Sequence, residues 1–165
     1  MLLYHGSNVE VNAPRVDCGR AKVDFGPGFY LTTLADQAEK WARQRAGENQ
    51  VRGIVSVFDF EDSDQLFHKS FDGYSEDWLM FVVENRRSDF PVVRYGYDVI
   101  SGNIADDKVV RVINDFIERL QQGRVDEVQI AATLRDLTYQ DANDQYCFAT
   151  EKALRFLKFQ RSYEV

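Results

Sequence analysis

Asp24-Phe25-Gly26-Pro27-Gly28-Phe29-Tyr30-Leu31-Thr32-Thr33, continuing into Leu34-Ala35-Asp36-Gln37-Ala38-Glu39-Lys40-Trp41, is the stretch on which the fold of this chain turns. Gly26 and Gly28 flank a proline, so the backbone bends sharply there and carries few side chains that could block a ligand. The run after the bend is short, apolar and aromatic at its centre, which predicts a strand. Thr33 offers a hydroxyl as a helix N-cap, and Ala38, Trp41, Ala42 and Ala46 recur at helical spacing. The stretch therefore reads as loop, strand, helix. Tyr30 from the strand and Trp41 from the third helical turn could hold a flat ring between them; their plainer reading is that both are core.

Outward from this centre, Leu2-Leu3-Tyr4-His5 predicts a short strand that ends at Gly6-Ser7. Residues 8 to 24 read as a loop whose cations are Arg15, Arg20 and Lys22. Gly53 to Phe60 is β-branched and aromatic and predicts a strand buried on both faces. The acidic, turn-rich segment Glu61 to Asp77 reads as a surface excursion with His68 facing solvent, and Ser75 is placed to cap a helix that ends near Asn85-Arg86-Arg87. Tyr97 to Ile100 predicts a strand closed by Ser101-Gly102. Asp106-Asp107 open the clearest amphipathic helix, stopped by Gly123, and Asp126 to Leu137 a second one. Gln145 to Ala149 predicts a strand, Thr150 to Arg155 a helical turn, and Leu157 to Val165 a last strand that alternates except at Arg161. Strands and helices mix without regular βαβ order, so the fold class expected is α+β.

Length and composition bound the function. A chain of 165 residues is expected to form a single domain, residues 1–165, and its 44% hydrophobic and 28% charged content belongs to an ordinary globular protein. A formal charge of −7 gives no general attraction to nucleic acid or anionic membrane. Cys18 and Cys147 stand apart from each other and from any Cys/His grouping, so neither a disulfide framework nor a metal site is expected. The start has no signal-peptide pattern, and no apolar run reaches spanning length. A cytoplasmic protein without a membrane partner is expected.

Three motifs in order carry a resemblance: Tyr4-His5-Gly6-Ser7, Phe25-Gly26-Pro27-Gly28-Phe29-Tyr30, and Asp144-Gln145-Tyr146-Cys147-Phe148. With Trp41 eleven residues after Tyr30, the chain resembles the ADP-ribosyltransferase superfamily, in its diphtheria-toxin and poly(ADP-ribose) polymerase branch with the His-Tyr-Glu signature. It is most like a bacterial family of small free-standing domains. The likeness extends to the tail from Glu151 to Tyr163, and residues 42 to 143 add little to it.

The resemblance implies an ADP-ribosyltransferase-like split β-sheet core with flanking helices and a mono-ADP-ribosyltransferase that takes NAD as substrate without a metal. The catalytic set it implies is His5, Tyr30 and Gln145, and the dinucleotide-binding set is His5, Gly6, Ser7, Gly28, Phe29, Tyr30 and Trp41. Gly6 would bind the nicotinamide amide through its backbone, Tyr30 and Trp41 would stack on the ring, and His5 would hydrogen-bond a ribose hydroxyl. A family serine that touches the amide falls on Ala38 here, so the resemblance implies that this contact is either missing or replaced, with Ser7 as the candidate.

The signature Glu falls on Gln145, which can hydrogen-bond but cannot ionise. Polymer growth is therefore not expected; Gln145 is expected to line a cleft, and a glutamate restored there is expected to speed NAD cleavage. Asp98 or Asp106 is a candidate for the missing acid, and Asn85 and Arg86 for the acceptor side; capping and salt bridging are their plainer roles. The acceptor, a macromolecule or a small molecule, is unknown. Likeness to small free-standing transferases further implies a toxin or phage-defence effector with a small antitoxin-like protein as partner. A second class of reading, marked by Gln145, is an NAD-binding or protein-interaction module without turnover. A third is an unrelated α+β domain whose aromatics are all core.

Overall fold

The computed structural model of the chain describes residues 1–17, 22–49, 51–87, 96–137 and 142–165. In order these form β1 (Leu2–Ser7), β2 (Phe29–Leu31), α1 (Ala35–Asn49), β3 (Ile54–Phe60), β4 (His68–Ser70), α2 (Glu76–Arg86), β5 (Val99–Gly102), α3 (Asp107–Gln121), α4 (Glu127–Asp136), β6 (Gln145–Phe148), α5 (Glu151–Leu154) and β7 (Leu157–Glu164). The fold is α+β. Among the described residues no helix is long and apolar enough to cross a membrane.

The strands make two sheets, one ordered β1-β3-β7 and antiparallel, the other ordered β2-β6-β5-β4 with only β4 and β5 parallel. They meet at one bridge. Tyr4 N–H donates to Thr32 O at 2.8 Å and Thr32 N–H to Tyr4 O at 3.0 Å. One face of both sheets shares a core of Leu3, Phe29, Leu31, Phe58, Phe60 and Phe148, closed by α5 through Ala153 and Leu154. On the opposite face the helices divide. Helix α1 covers β1 and β3 through Ala38, Ala42, Val55 and Val57, while α2 and α3 bury Trp78, Leu79, Val82, Ile113 and Phe116 against Ile100 and Cys147.

Local chemistry explains the helix starts. Ser75 accepts from Trp78 N–H, Asp106 from Lys108 and Val109 N–H, and Asp126 forms a capping box with Gln129. The left-handed Gly123 (φ 65°) follows the end of α3. Helix α1 departs from expectation. Its first turn closes with Ala38 N–H on Leu34 O, and the Thr33 hydroxyl goes to Asp144 instead of capping the helix. Thr32 Oγ takes Leu34 N–H in its place.

Two further expectations change. The Glu61 to Asp77 segment is no mere excursion: β4 lies within it, and Leu66 and Phe71 are buried. The strand expected from Tyr97 begins at Val99. In β7 the alternation is interrupted physically, because Phe159 pairs with Phe58 and Arg161 with Val57, leaving Gln160 unpaired in a bulge. The bulge turns the strand over. Leu157 and Phe159 pack on the shared core, whereas Tyr163 and Val165 pack under α1.

Candidate functional site

The single bridge at Tyr4 sets the geometry of the seam between the sheets. Met1 and Phe60 exchange backbone hydrogen bonds, so in β1 the odd-numbered residues pair with β3 and the even-numbered ones face the other edge. Tyr4 uses that edge for Thr32. Gly6 presents its N–H and C=O the same way, and no described residue pairs with them. By register its partner would be Tyr30, two residues back from Thr32 on β2. That rung does not form. Tyr30 O instead takes His5 Nδ1 at 2.7 Å.

A carbonyl oxygen only accepts, so Nδ1 carries the hydrogen and the neutral ring leaves Nε2 as a lone-pair acceptor. Burial lowers the His5 pKa; the bond to Tyr30 O opposes the shift, and the charge of Arg45 adds to it. The imidazole rests on Phe29 with ring centroids 4.5 Å apart. Ser7 lies two residues on, along the same face of β1.

Because Tyr4 and Thr32 are directly opposed, Gly6, Tyr30 and Gln145 all lie on the face that carries α1. Tyr30 is tethered there. Its hydroxyl donates to Gly26 O at 2.6 Å and accepts Phe25 N–H at 3.1 Å, which ties the ring across the turn before β2. Burial first, and then the neighbouring Cys147, push its pKa well above the ordinary phenol value.

Trp41 is half-buried and outside all three buried clusters. It stands between Gln37 and Arg45 at four-residue spacing. Gln37 reaches Asp144 O at 2.7 Å, at the start of β6, and Arg45 acts on His5, so this flank of α1 looks onto the seam. Tyr30 and Trp41 thus occupy one side of the sheets, without direct ring contact.

Glycine at 6 and at 28 has a packing reason of its own. A Cβ on Gly6 would lie 2.0 Å from Ala38 O in α1, and one on Gly28 would lie 2.5 Å from Cys147 Sγ. Ala38 itself is fully buried under β1. Gly28 and Phe29 therefore support β2 and His5 from behind.

Gln145 does not line an open cleft: it is 4% exposed. Its Nε2 donates to Asp24 Oδ2 at 2.9 Å and to Asn103 O at 3.0 Å. Asp24, also buried, receives Arg86 Nε at 2.7 Å on Oδ1 and Ala105 N–H at 3.0 Å on Oδ2. A glutamate at 145 would face a carboxylate and a carbonyl with no proton to give, so the open-cleft setting expected for an acid there is not what surrounds this position.

The other candidates take structural roles. Asp106 caps α3, and Asp98 is buried among Lys152 Nζ at 2.9 Å, the Thr150 hydroxyl at 2.6 Å and Phe67 N–H at 3.1 Å. Burial alone would raise the Asp98 pKa, but these donors together hold it below the ordinary value. Asn85 donates to Phe81 O and leaves its own carbonyl oxygen buried without a partner. Arg86 is the one member of this group that reaches the site, through Asp24. Arg15 pairs with Asp17, Lys22 is exposed with a left-handed backbone (φ 62°), and His68 is exposed beside Asp62 at 2.9 Å. Arg20 and Cys18 lie outside the described residues.

Two residues at the site were not singled out from sequence: Asp24 and Asp144. Asp144 accepts the Thr32 hydroxyl at 2.5 Å and Thr33 N–H at 2.9 Å, pinning the exit of β2 to β6. An acid directly before the Phe25-Gly26 turn was the only sequence signal for Asp24.

The fold and seam define an α+β protein built from two short sheets that share one bridge and leave one backbone rung open. The chain belongs to the family described as "Protein of unknown function (DUF3990)", whose model matches residues 1–159. No curated protein matches the chain, and no solved structure does.

Proposed function

We propose that the seam between β1 and β2 takes the nicotinamide end of NAD and that the chain is a mono-ADP-ribosyltransferase. The observation that carries the reading is the open rung at Gly6. A carboxamide has one acceptor and two donor hydrogens, the complement of a backbone N–H and C=O left side by side. His5 supports it by occupying Tyr30 O, which keeps the rung from closing, and by keeping Nε2 as an acceptor for a sugar hydroxyl.

The reaction breaks the nicotinamide–ribose bond as positive charge builds on the sugar, so a held ring and fixed dipoles favour it. Gly6 holds the amide, the Tyr30 ring and Trp41 flank it from one side of the sheets, and Gln145 offers a carbonyl dipole. Gly6 and Tyr30 do the binding and His5 the orienting. No side chain of the set supplies a free carboxylate, which fits transfer of one unit and not chain growth.

A specific observation favours the second reading, binding without turnover: the Asp24 carboxylate is saturated by Arg86, Ala105 and Gln145. Equilibrium NAD binding followed by nicotinamide release separates the two. Binding with release supports the transferase, binding without release the module, and absence of binding defeats both. The effector role with a small antitoxin-like partner rests on resemblance alone. Growth arrest on expression, relieved by His5→Ala, would support it.

A further inference from the structure

The amide of Gln145 has a determined orientation. Both groups it touches, the Asp24 carboxylate and Asn103 O, can only accept, so the atom facing them must be Nε2 and both its hydrogens are used. Its Oε1 accepts no hydrogen bond from any described residue, although the side chain is 4% exposed. Asn103 follows β5, and β5 flanks β6 on the side away from β2. The nitrogen is therefore committed to Asp24 and Asn103, which leaves Oε1 as the open acceptor of this side chain on the sheet face that also carries Gly6 and Tyr30.

Asp24 is held in turn. Arg86 binds one of its oxygens, at 2.7 Å through Nε and 2.5 Å through Nη2, and Ala105 N–H binds the other. Asn103 O is also fixed, by Trp78 Nε1 at 3.1 Å. These partners come from α2 and from the segment between β5 and α3.

We propose that Asp24 is a positioning residue for the dinucleotide site: it locks the Gln145 amide so that Oε1 is a permanent acceptor for a donor hydroxyl at the seam. This rests on the NAD reading above. The chain is thereby built for glutamine at 145, with its negative charge moved one residue outward, onto Asp24. Exchanging Asp24 for asparagine puts an Nδ2 donor against Gln145, because Arg86 claims the Asn oxygen. The Gln145 amide is then drawn two ways, the new Nδ2 calling for its oxygen and Asn103 O for its nitrogen, so Oε1 is no longer locked as the open acceptor.

The test measures NAD affinity and melting temperature for the full chain and for Asp24→Asn, Gln145→Glu and the double variant. Each single change is expected to weaken NAD binding by up to about tenfold, the worth of one neutral hydrogen bond. In the double variant the new amide at 24 donates to one carboxylate oxygen at 145 in place of the repulsion between two carboxylates, the other oxygen stays an acceptor, and most of the loss is expected to be regained. A merely structural Asp24 predicts losses that add. If Asp24→Asn does not fold because Arg86 is left buried with an unmatched charge, Asp24→Asn with Arg86→Gln removes both charges and carries the same expectation. Folded single variants that bind NAD as the parent does overturn the lock while leaving the NAD reading in place. A parent chain that binds no NAD overturns both.

Discussion

His5 donates from Nδ1 to Tyr30 O across 2.7 Å, and the contact stands where the next rung between β1 and β2 would otherwise form. A side chain has replaced a ladder bond, so the two sheets separate after one bridge and Gly6 keeps an open donor and acceptor. Removing the imidazole should let the seam close. His5→Ala is expected to lose about 0.5–1.5 kcal/mol from the hydrogen bond, together with NAD binding. Thermal melting and an NAD titration check it, and a mutant that binds NAD like the parent contradicts it.

The same histidine should set an acid limit. Its folded pKa lies below the ordinary 6.5, chiefly through burial, so the unfolded chain binds the proton more readily. Stability is then present above pH 6.5, falls as pH drops below it, and levels off under the folded pKa. Protonation would also turn Nε2 from acceptor to donor. His5→Asn should flatten this part of the stability curve, as seen in denaturant melts at a series of pH values.

Tyr30 and Trp41 should separate stability from binding. Tyr30→Phe leaves Gly26 O and Phe25 N–H without their shared hydroxyl and is expected to cost about 1–3 kcal/mol of stability while keeping the ring. Trp41→Ala lies outside the buried clusters, so its stability should barely change. Its NAD affinity should fall by roughly 1–3 kcal/mol, by analogy with aromatic stacking on bases. Calorimetry and melting on both variants decide; equal stability losses would remove Trp41 from the site.

Gly6→Ala tests packing. The new Cβ would stand 2.0 Å from Ala38 O, a backbone atom that moves only if α1 lifts from β1. A loss of at least about 3 kcal/mol is expected, and a variant that melts near the parent temperature would show that α1 is not seated on β1.

Much of the fold was legible because its signals are local. Ser75, Asp106 and Asp126 cap their helices from within three residues, and the β-branched run from Ile54 declares itself. What was misread depends on distant partners. Thr33 looks like a cap until Asp144 competes for its hydroxyl, and β4 is too short and polar to be seen without β5 beside it. The alternation of β7 conceals a bulge that sends Tyr163 to the opposite face from Phe159. At the site, the His5-Gly6-Ser7 and Phe25-to-Tyr30 motifs were visible as a pattern. Asp24 was not, because its partners Arg86 and Gln145 lie 62 and 121 residues away.

On the proposed reading, the open rung at Gly6 receives the nicotinamide amide of NAD. Protein labelled with 15N-glycine and titrated with NAD reports this directly, since the Gly6 amide is the donor expected to bind. A saturable shift of the Gly6 resonance is expected, reproduced by nicotinamide alone and absent in His5→Ala. A Gly6 resonance that stays fixed while NAD binds, or no binding at all, would contradict it.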